Sequence, residues 1–149
     1  MCTWRRAASV LALVGLGAAS ACGTTPHPRA IPTLGQRAGI FAHAGRGFGT
    51  VRPSVVDNGG DPTGVVIGVV WTSWGGPRAV GTGTSDWVGP GQTVAAGSQE
   101  PVRIVAFRLG RCDGRRMYRA VEWYFPQHGE RFDPGRYEDI CTGTYVPAP

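Results

Sequence analysis

After residue 53 the chain is dominated by runs of β-branched and aromatic residues separated by turns rich in glycine and proline. The run VVIGVVWTSW at residues 65–74 is apolar on both alternating faces, which predicts a buried central strand. Further strands are predicted at residues 78–88, 102–109, 116–125 and 142–146. Asp133 and Pro134 suit a helix N-cap and a first helical residue, so residues 132–140 are expected to contain one short helical turn. The pattern predicts a mainly β fold, either a small antiparallel sandwich or a barrel-like sheet.

Alternation along the predicted strands assigns the tryptophans to faces. Trp71 continues the alternating apolar face of residues 65–69 and is therefore expected in the main core. Trp74 lies three residues further on and points to the other face, where it either covers the bare groove left by Gly81 and Gly83 or reaches solvent.

The hairpin between the third and fourth predicted strands has two candidate registers. A two-residue turn sets Arg108 opposite Arg119, and like charges directly opposite each other destabilise a sheet. A four-residue loop at residues 111–114 sets Arg103 opposite Glu122 instead. The charge argument predicts the second register.

The first 21 residues have the organisation of an export signal. Two arginines precede an apolar run at residues 7–21 that is shorter than the roughly 20 residues of a membrane-spanning helix. The following ASAC resembles a bacterial lipobox, although Ala19 stands where leucine is usual, and predicts lipidation of Cys22. The alternative is an ordinary signal peptide that leaves a secreted protein.

Residues 22–52 are rich in glycine and proline and predict a flexible tether. Phe41 and Phe48 within it are expected to be loosely ordered, and the alternative is that they dock on the domain. Residues 53–147 are the predicted β domain. In an exported domain Cys112 and Cys141 are expected to form a disulfide, because the space outside the membrane is oxidising.

The charge distribution and the missing motifs argue against several classes of function. All fifteen basic residues are arginines and are scattered along the chain, which argues against a nucleic-acid interface. No nucleophile motif or phosphate-binding loop occurs, and Asp57 and Asp61 lack the remaining ligands of a calcium loop. His128 and Glu130 are either an acid–base pair or part of a solvated turn. The sequence therefore predicts no catalytic, cofactor or metal site, and an enzyme is the less favoured class.

Aromatic residues outside the predicted core are candidate ligand contacts. Trp123 and Phe125 continue an inward face, whereas Tyr124 lies on the opposite one. Exposed rings on a sheet can stack on sugars while neighbouring polar groups bind the hydroxyls. The candidate contacts are Trp74, Asp86, Trp87 and Tyr124.

Several segments carry a resemblance to a known family: NGGDPTG, WTSWGG, GTGTSDWV and VEWYFPQHGERFDPGRYEDICTGTYV. Together they make residues 53–147 similar to a family of exported or lipid-anchored proteins of actinobacteria. The family has no assigned activity, so the resemblance implies the anchor and the domain limits and nothing about catalysis.

These observations predict a lipid-anchored module at the outer face of the cytoplasmic membrane, with a binding or envelope-structural role. Its expected partners are the membrane, through the anchor, and either a cell-wall glycan or an envelope protein. The alternatives are a cell-envelope hydrolase and a protein-interaction module.

Overall fold

The computed structural model describes residues 30–36 and 45–147 of the chain. Within them lie eight strands: β1 (Thr33–Leu34), β2 (Val55–Asp57), β3 (Val65–Trp71), β4 (Ala79–Trp87), β5 (Ser98–Cys112), β6 (Arg115–Tyr124), β7 (Tyr137–Asp139) and β8 (Thr144–Val146). The predicted mainly β fold is confirmed.

Seven of these strands form one antiparallel sheet in the order β2-β3-β4-β5-β6-β7-β8. The sheet curls into a half-barrel, which is the barrel-like one of the two predicted architectures. One edge of β6 pairs with β5, and its other edge is shared by two short strands. β1 runs parallel to β6 with Thr33 opposite Met117, and β7 pairs further along at Ala120 and Val121.

Two apolar clusters lie on opposite faces of the central strands, because successive residues of a strand alternate in direction. Ile104 and Ala106 of β5 join the main cluster, whereas Val105 and Phe107 join the second. The main cluster also contains Leu34, Phe48, Val56, Val66, Val69, Ala79, Val102, Tyr118, Val121, Phe125 and Ile140.

A β-bulge in β3 changes which of its side chains are buried. The register with β4 shifts after Ile67, at Gly68, whose φ of 62° suits glycine. The extra residue reverses the alternation, so Val66 and Val69 are buried and Ile67 is 40% exposed. Trp71 packs against the main cluster as predicted. The prediction of an unbroken alternation from residue 65 to Trp71 with both faces buried was wrong, because a bulge breaks the two-residue period and leaves part of the strand exposed.

Gly81 and Gly83 of β4 are covered by β3 itself. A Cβ atom on Gly83 would lie 2.7 Å from Cγ1 of Val66, and one on Gly81 would lie 2.9 Å from a β3 carbonyl oxygen. The bulged strand therefore fills the groove, and Trp74 does not cover it.

The hairpin between β5 and β6 adopts the register with the shorter turn. Cys112 pairs with Arg115 across residues 113–114, whose φ values are 48° and 76°. Positive φ at both central residues is the mark of a type I′ turn, which matches the twist of the flanking strands. Arg103 pairs with Tyr124 rather than with Glu122, so the predicted register was wrong.

The like-charge pair is tolerated because its members have separate partners. Arg108 and Arg119 lie opposite each other, because the residues on either side of them are paired in that register. The backbone of Arg108 has a φ of 53°. The Arg108 guanidinium lies 4.4 Å from the ring centroid of Tyr137. Nε of Arg119 donates to Sγ of Cys141 at 3.1 Å. Turn geometry consequently prevails over the local repulsion.

The predicted disulfide between Cys112 and Cys141 is present, with the two Cα atoms 6.0 Å apart. It ties the tip of the β5–β6 hairpin to the segment that follows β7. The bond therefore restrains the chain just after β7, which itself pairs with β6 further from the hairpin turn, at Ala120 and Val121.

The packed domain begins earlier than predicted. Leu34 is fully buried and Phe48 is 7% exposed, and the amide of Gly35 donates to the carbonyl oxygen of Tyr118 at 3.0 Å. Residues 30–36 and 45–52 therefore belong to the domain, which corrects the boundary at residue 53 and the expectation of a loosely ordered Phe48. The predicted signal peptide, Cys22 and Phe41 lie outside the described residues.

Helical structure in the described residues consists of three 3-10 turns, at Pro62–Gly64, Val94–Ala96 and Pro126–His128. The segment after Asp133 is a β-turn instead of the predicted helical turn, with the Arg136 amide donating to the Asp133 carbonyl at 3.0 Å. None of the helices in residues 30–36 and 45–147 is long and apolar enough to cross a membrane.

Candidate functional site

Trp87 stacks on His128, with ring centroids 3.7 Å apart and planes inclined by 7°. Nε2 of His128 lies 2.7 Å from a carboxylate oxygen of Glu100, to which Gln127 also donates. The hydrogen bond from Gln127, followed by that from His128, lowers the pKa of Glu100. One face of the Trp87 ring is thus occupied within the protein. His128 pairs with Glu100 rather than with Glu130, so the acid–base pair considered from the sequence is not formed.

The Trp74 side chain binds the N-terminal segment of the domain and packs against other rings. Its Nε1 donates to the carbonyl oxygen of Pro32 at 2.9 Å. Its ring meets Trp71 and Tyr118 edge to face, with centroid separations of 4.7 and 5.1 Å. The chain has left β3 by this point, so the strand alternation that separated Trp71 from Trp74 no longer applies.

The other two predicted contacts lie elsewhere. Asp86 accepts a hydrogen bond from Gln99 at 2.8 Å, in an outer depression beside the β2–β3 turn. Tyr124 packs against the second apolar cluster and lines a different depression with Phe132. Trp74 lines a third. The structure does not bring the predicted contacts together into one site.

A cleft of about 320 Å³ lies where the two ends of the curled sheet approach each other. Asn58, directly after β2, donates through Nδ2 to Oε1 of Glu138 in β7 over 3.4 Å. Because β2 and β7 are far apart in the strand order, this long hydrogen bond spans the opening of the half-barrel. We call the site the seam cleft, and its lining residues are Asn58, Thr63, Gly64, Val121, Glu122, Trp123, Phe125, Glu130, Arg136, Tyr137, Glu138 and Tyr145.

The β2–β3 turn fixes the amide of Asn58 at the seam. Its Oδ1 accepts from the amide of Gly60 at 3.0 Å, which leaves Nδ2 to reach Glu138. Gly64 makes room for this side chain, since a Cβ atom on Gly64 would lie 2.1 Å from Oδ1 of Asn58. The turn chemistry of DNGGDPTG therefore positions a polar group in the cleft.

Glu122 is a buried carboxyl in the cleft, with only 4% of the residue exposed. The amide of Asp133 donates to it at 3.0 Å and Nε of Arg136 at 3.2 Å. Burial outweighs these contacts and raises the pKa of Glu122 to about 7. Arg136 also lies 3.7 Å from Glu130, whose carboxylate accepts from the amide of Phe125.

Glu138 is the second carboxyl with a raised pKa. Burial is the main cause, and the hydrogen bond from Asn58 offsets it only in part. The cleft thus contains two carboxyl groups that retain protons at higher pH than usual and can donate as well as accept hydrogen bonds. Two aromatic rings border them: Trp123 is half-buried and Tyr145 is 56% exposed.

No group of three or more His, Cys, Asp or Glu side chains in the described ranges could hold a metal ion. The carboxylates of the β2–β3 turn serve the backbone instead: Asp57 accepts from the Gly59 amide at 2.8 Å and Asp61 from the Thr63 amide at 2.9 Å. These contacts shape the β2–β3 turn.

The seam cleft was missed in the sequence because its members come from separate parts of the chain. Asn58 and Glu138 are 80 positions apart. One local signal was available: Glu122 is the only charged residue in the apolar and aromatic run AVEWYF at residues 120–125, and a charged side chain is seldom buried without partners.

Comparisons were made with protein-family models, with curated proteins and with solved structures. None of the three finds a match to this chain.

Proposed function

We propose that the protein is a lipid-anchored, extracytoplasmic binding module that holds an envelope glycan in the seam cleft. The supporting observation is the convergence of the Asn58 amide and the Glu138 carboxyl with the rings of Trp123 and Tyr145 around one cavity. Sugars present apolar ring faces and hydroxyl groups, and sites for such ligands combine aromatic surface with a few fixed polar groups.

This proposal moves the sugar contact away from the tryptophans favoured by the sequence. Trp74 and Trp87 use their rings to pack against Trp71 and His128, respectively. Tyr145 is more than half exposed and borders the cavity, so its ring is available to a ligand without loss of packing.

Retention on isolated cell-wall polysaccharide tests the cleft. Tyr145→Ala should weaken retention about fivefold, because an aromatic contact contributes about 1 kcal/mol. Its folding should be unaffected, since the side chain is exposed. Trp87→Ala is the matched control: it removes a ring at the His128 stack and should retain glycan binding. No retention of the wild-type protein, or loss in Trp87→Ala with none in Tyr145→Ala, would contradict the proposed site.

The anchor is the second part of the proposal. The ASAC sequence at Cys22 and the resemblance to exported actinobacterial proteins support lipidation and a location at the outer face of the cytoplasmic membrane. Cys22→Ser should no longer incorporate a fatty-acid probe. Wild-type protein that stays unlabelled in the soluble culture fraction would point to secretion without an anchor.

A hydrolase acting on the same glycan is the second candidate function. It is favoured by the raised pKa values of Glu122 and Glu138, because a carboxyl that retains its proton to higher pH than usual is suited to general-acid catalysis. Release of soluble reducing ends by the wild-type protein, abolished in Glu138→Gln, would establish it. Retention of intact polysaccharide without such release supports a binding module.

A further inference from the structure

A second surface lies at the opposite end of β6 from the seam cleft. It consists of Ile31, Pro32, Val51, Arg52, Trp74 and Arg116, and we call it the N-terminal surface. Ile31 is 66% exposed and Val51 is 44% exposed, which is unusual for two neighbouring apolar side chains on one small surface. Two arginines flank them.

The chain enters the domain on this surface and is fixed there by side chains. The guanidinium of Arg116 donates to the carbonyl oxygen of Ala30 at 2.8 Å. Trp74 donates a hydrogen bond to the carbonyl oxygen of Pro32, two residues further along the chain. Ala30 and Pro32 are therefore both held on this surface through their backbone carbonyl groups.

The charge of this end is positive. Arg111 and Arg115 lie exposed at the tip of the adjoining β5–β6 hairpin, in addition to the two arginines of the surface itself. Asp113 is the acidic residue of the tip, and its carboxylate accepts from Gln36 at 3.1 Å. Arginines beside exposed apolar side chains suit the interface of an anionic bilayer, where the apolar groups enter the headgroup boundary.

The distance to the proposed anchor is short. Seven residues separate Cys22 from Ala30, and a fully extended segment of that length spans at most about 25 Å. A lipid on Cys22 consequently keeps the N-terminal surface near the bilayer. The seam cleft begins five residues further along β6, at Val121, which places it about 17 Å away from Arg116.

We infer that the N-terminal surface docks on anionic phospholipid and so orients the seam cleft away from the membrane. This inference rests on the proposed anchor at Cys22. The bilayer contacts Ile31 and Val51, and the arginines bind lipid phosphates. The glycan site then faces outward, where polysaccharide is accessible.

Site-specific fluorescence in vesicles tests the inference. The full chain, exported and purified from membranes, is placed in vesicles of phosphatidylcholine with phosphatidylglycerol that carry a headgroup quencher. A thiol-reactive fluorophore is attached to Val51→Cys or to the matched control Val94→Cys. The two valines are 44% and 41% exposed, and Val94 precedes β5 at the cleft end of the sheet.

We expect the label at residue 51 to be quenched strongly and the label at residue 94 to be nearly unquenched. Arg52→Gln and Arg115→Gln in the Val51→Cys background should each reduce the docking equilibrium constant, obtained from quenching as a function of phosphatidylglycerol content, about fivefold, the change for one basic residue near an anionic surface. Equal quenching at both positions, or quenching at residue 51 that is unchanged without phosphatidylglycerol, would overturn the docking surface. Label that maps to Cys22 in the unsubstituted protein would show a free thiol and remove the anchor, together with the inference built on it.

Discussion

The two ends of β6 differ in how they are held and in what they present. Around Arg116 the strand is paired on both edges, by β5 and by β1, and the disulfide lies close by. Beyond Val121 the pairing with β7 has ended, and the side chains of Glu122 and Trp123 border the seam cleft. A continuous ladder satisfies the backbone by itself, whereas its end requires side chains to do so. Polar side chains that can bind a ligand are therefore found where the backbone pairing ends.

The difference also appears in the charged groups. The arginines at the first end are largely exposed, whereas the carboxyl of Glu122 at the other end is buried and has a raised pKa. Exposed charges suit long-range attraction to a charged surface, and buried carboxyls suit short-range hydrogen bonding to a ligand. The two ends are thus equipped for different partners.

The largest expected effect concerns the disulfide that holds the first end. Replacing Cys112 and Cys141 by serine should reduce the free energy of unfolding by about 3.5 kcal/mol, because a loop of about 30 residues is no longer closed in the unfolded chain. Urea denaturation measures the loss. Hydrogen exchange should rise most in β7 and β8, which flank the segment that the bond restrains. A loss below about 1 kcal/mol would mean that the pairing of β6 alone holds this end.

Much of the fold follows from the sequence, but strand limits depend on pairing partners. The segment before residue 102 has the glycine, proline and polar composition of a loop, yet β5 begins at Ser98. Ser98 pairs with Trp87 and Pro101 with Thr84, because β4 is long enough to supply partners. Tertiary pairing thus overrides local propensity.

The β3 bulge and the β5–β6 hairpin show two other features that the sequence patterns did not predict. Gly68, alone inside a strand pattern, was the available sign of the bulge. Asp113 and Gly114 were the available sign of the two-residue turn, and they outweighed the repulsion between Arg108 and Arg119. A turn that fits the sheet twist fixes the register, whereas long arginine side chains can move apart.

The next effect concerns Glu122 at the cleft end. Its pKa is raised from 4.5 to about 7, so the folded chain binds this proton more tightly than the unfolded chain. The free energy of unfolding should therefore fall as the pH rises from about 4.5 to 7, by about 3 kcal/mol at most. Glu122→Gln should remove this dependence and be more stable than wild type at pH values above 7. Thermal unfolding across the pH range measures both.

Glu100→Gln is the matched control for that titration. Hydrogen bonds from Gln127 and His128 lower the pKa of Glu100, so its contribution is present at neutral pH and is lost as the pH falls. This variant should keep the decline in stability between pH 4.5 and 7. If it loses the decline instead, the proton responsible is not on Glu122.

A smaller effect is expected at the opposite end from Leu34→Ala. Leu34 is fully buried, and its removal should cost about 2 kcal/mol, near the lower limit for such a truncation, because β1 is short and lies at an edge. Protection of the Gly35 amide, which donates to Tyr118, should decrease in hydrogen exchange while the amides near Glu122 are unaffected. A uniform loss of protection would show that the two ends unfold as one unit.

The residues of the seam cleft were the part that sequence patterns did not predict. Strand alternation places a side chain on a face, but the approach of Asn58 to Glu138 depends on the curl of the whole sheet. The aromatic pattern instead drew attention to Trp74 and Trp87, whose rings complete the packing of the domain.

The smallest expected effect is also the most specific test of the seam. Asn58→Ala removes the 3.4 Å hydrogen bond to Glu138 and the contact with the Gly60 amide, so stability should fall by only about 1 kcal/mol. The pKa of Glu138 should rise further, since the Asn58 amide lowers it against the effect of burial. Asn58→Asp keeps an acceptor for Gly60 and places a second carboxyl beside Glu138, which should raise that pKa more. Carboxyl titration by NMR separates these outcomes. A Glu138 titration that is the same in all three proteins would mean that Asn58 does not bridge the two ends of the sheet, and the cleft would then be open along its whole length.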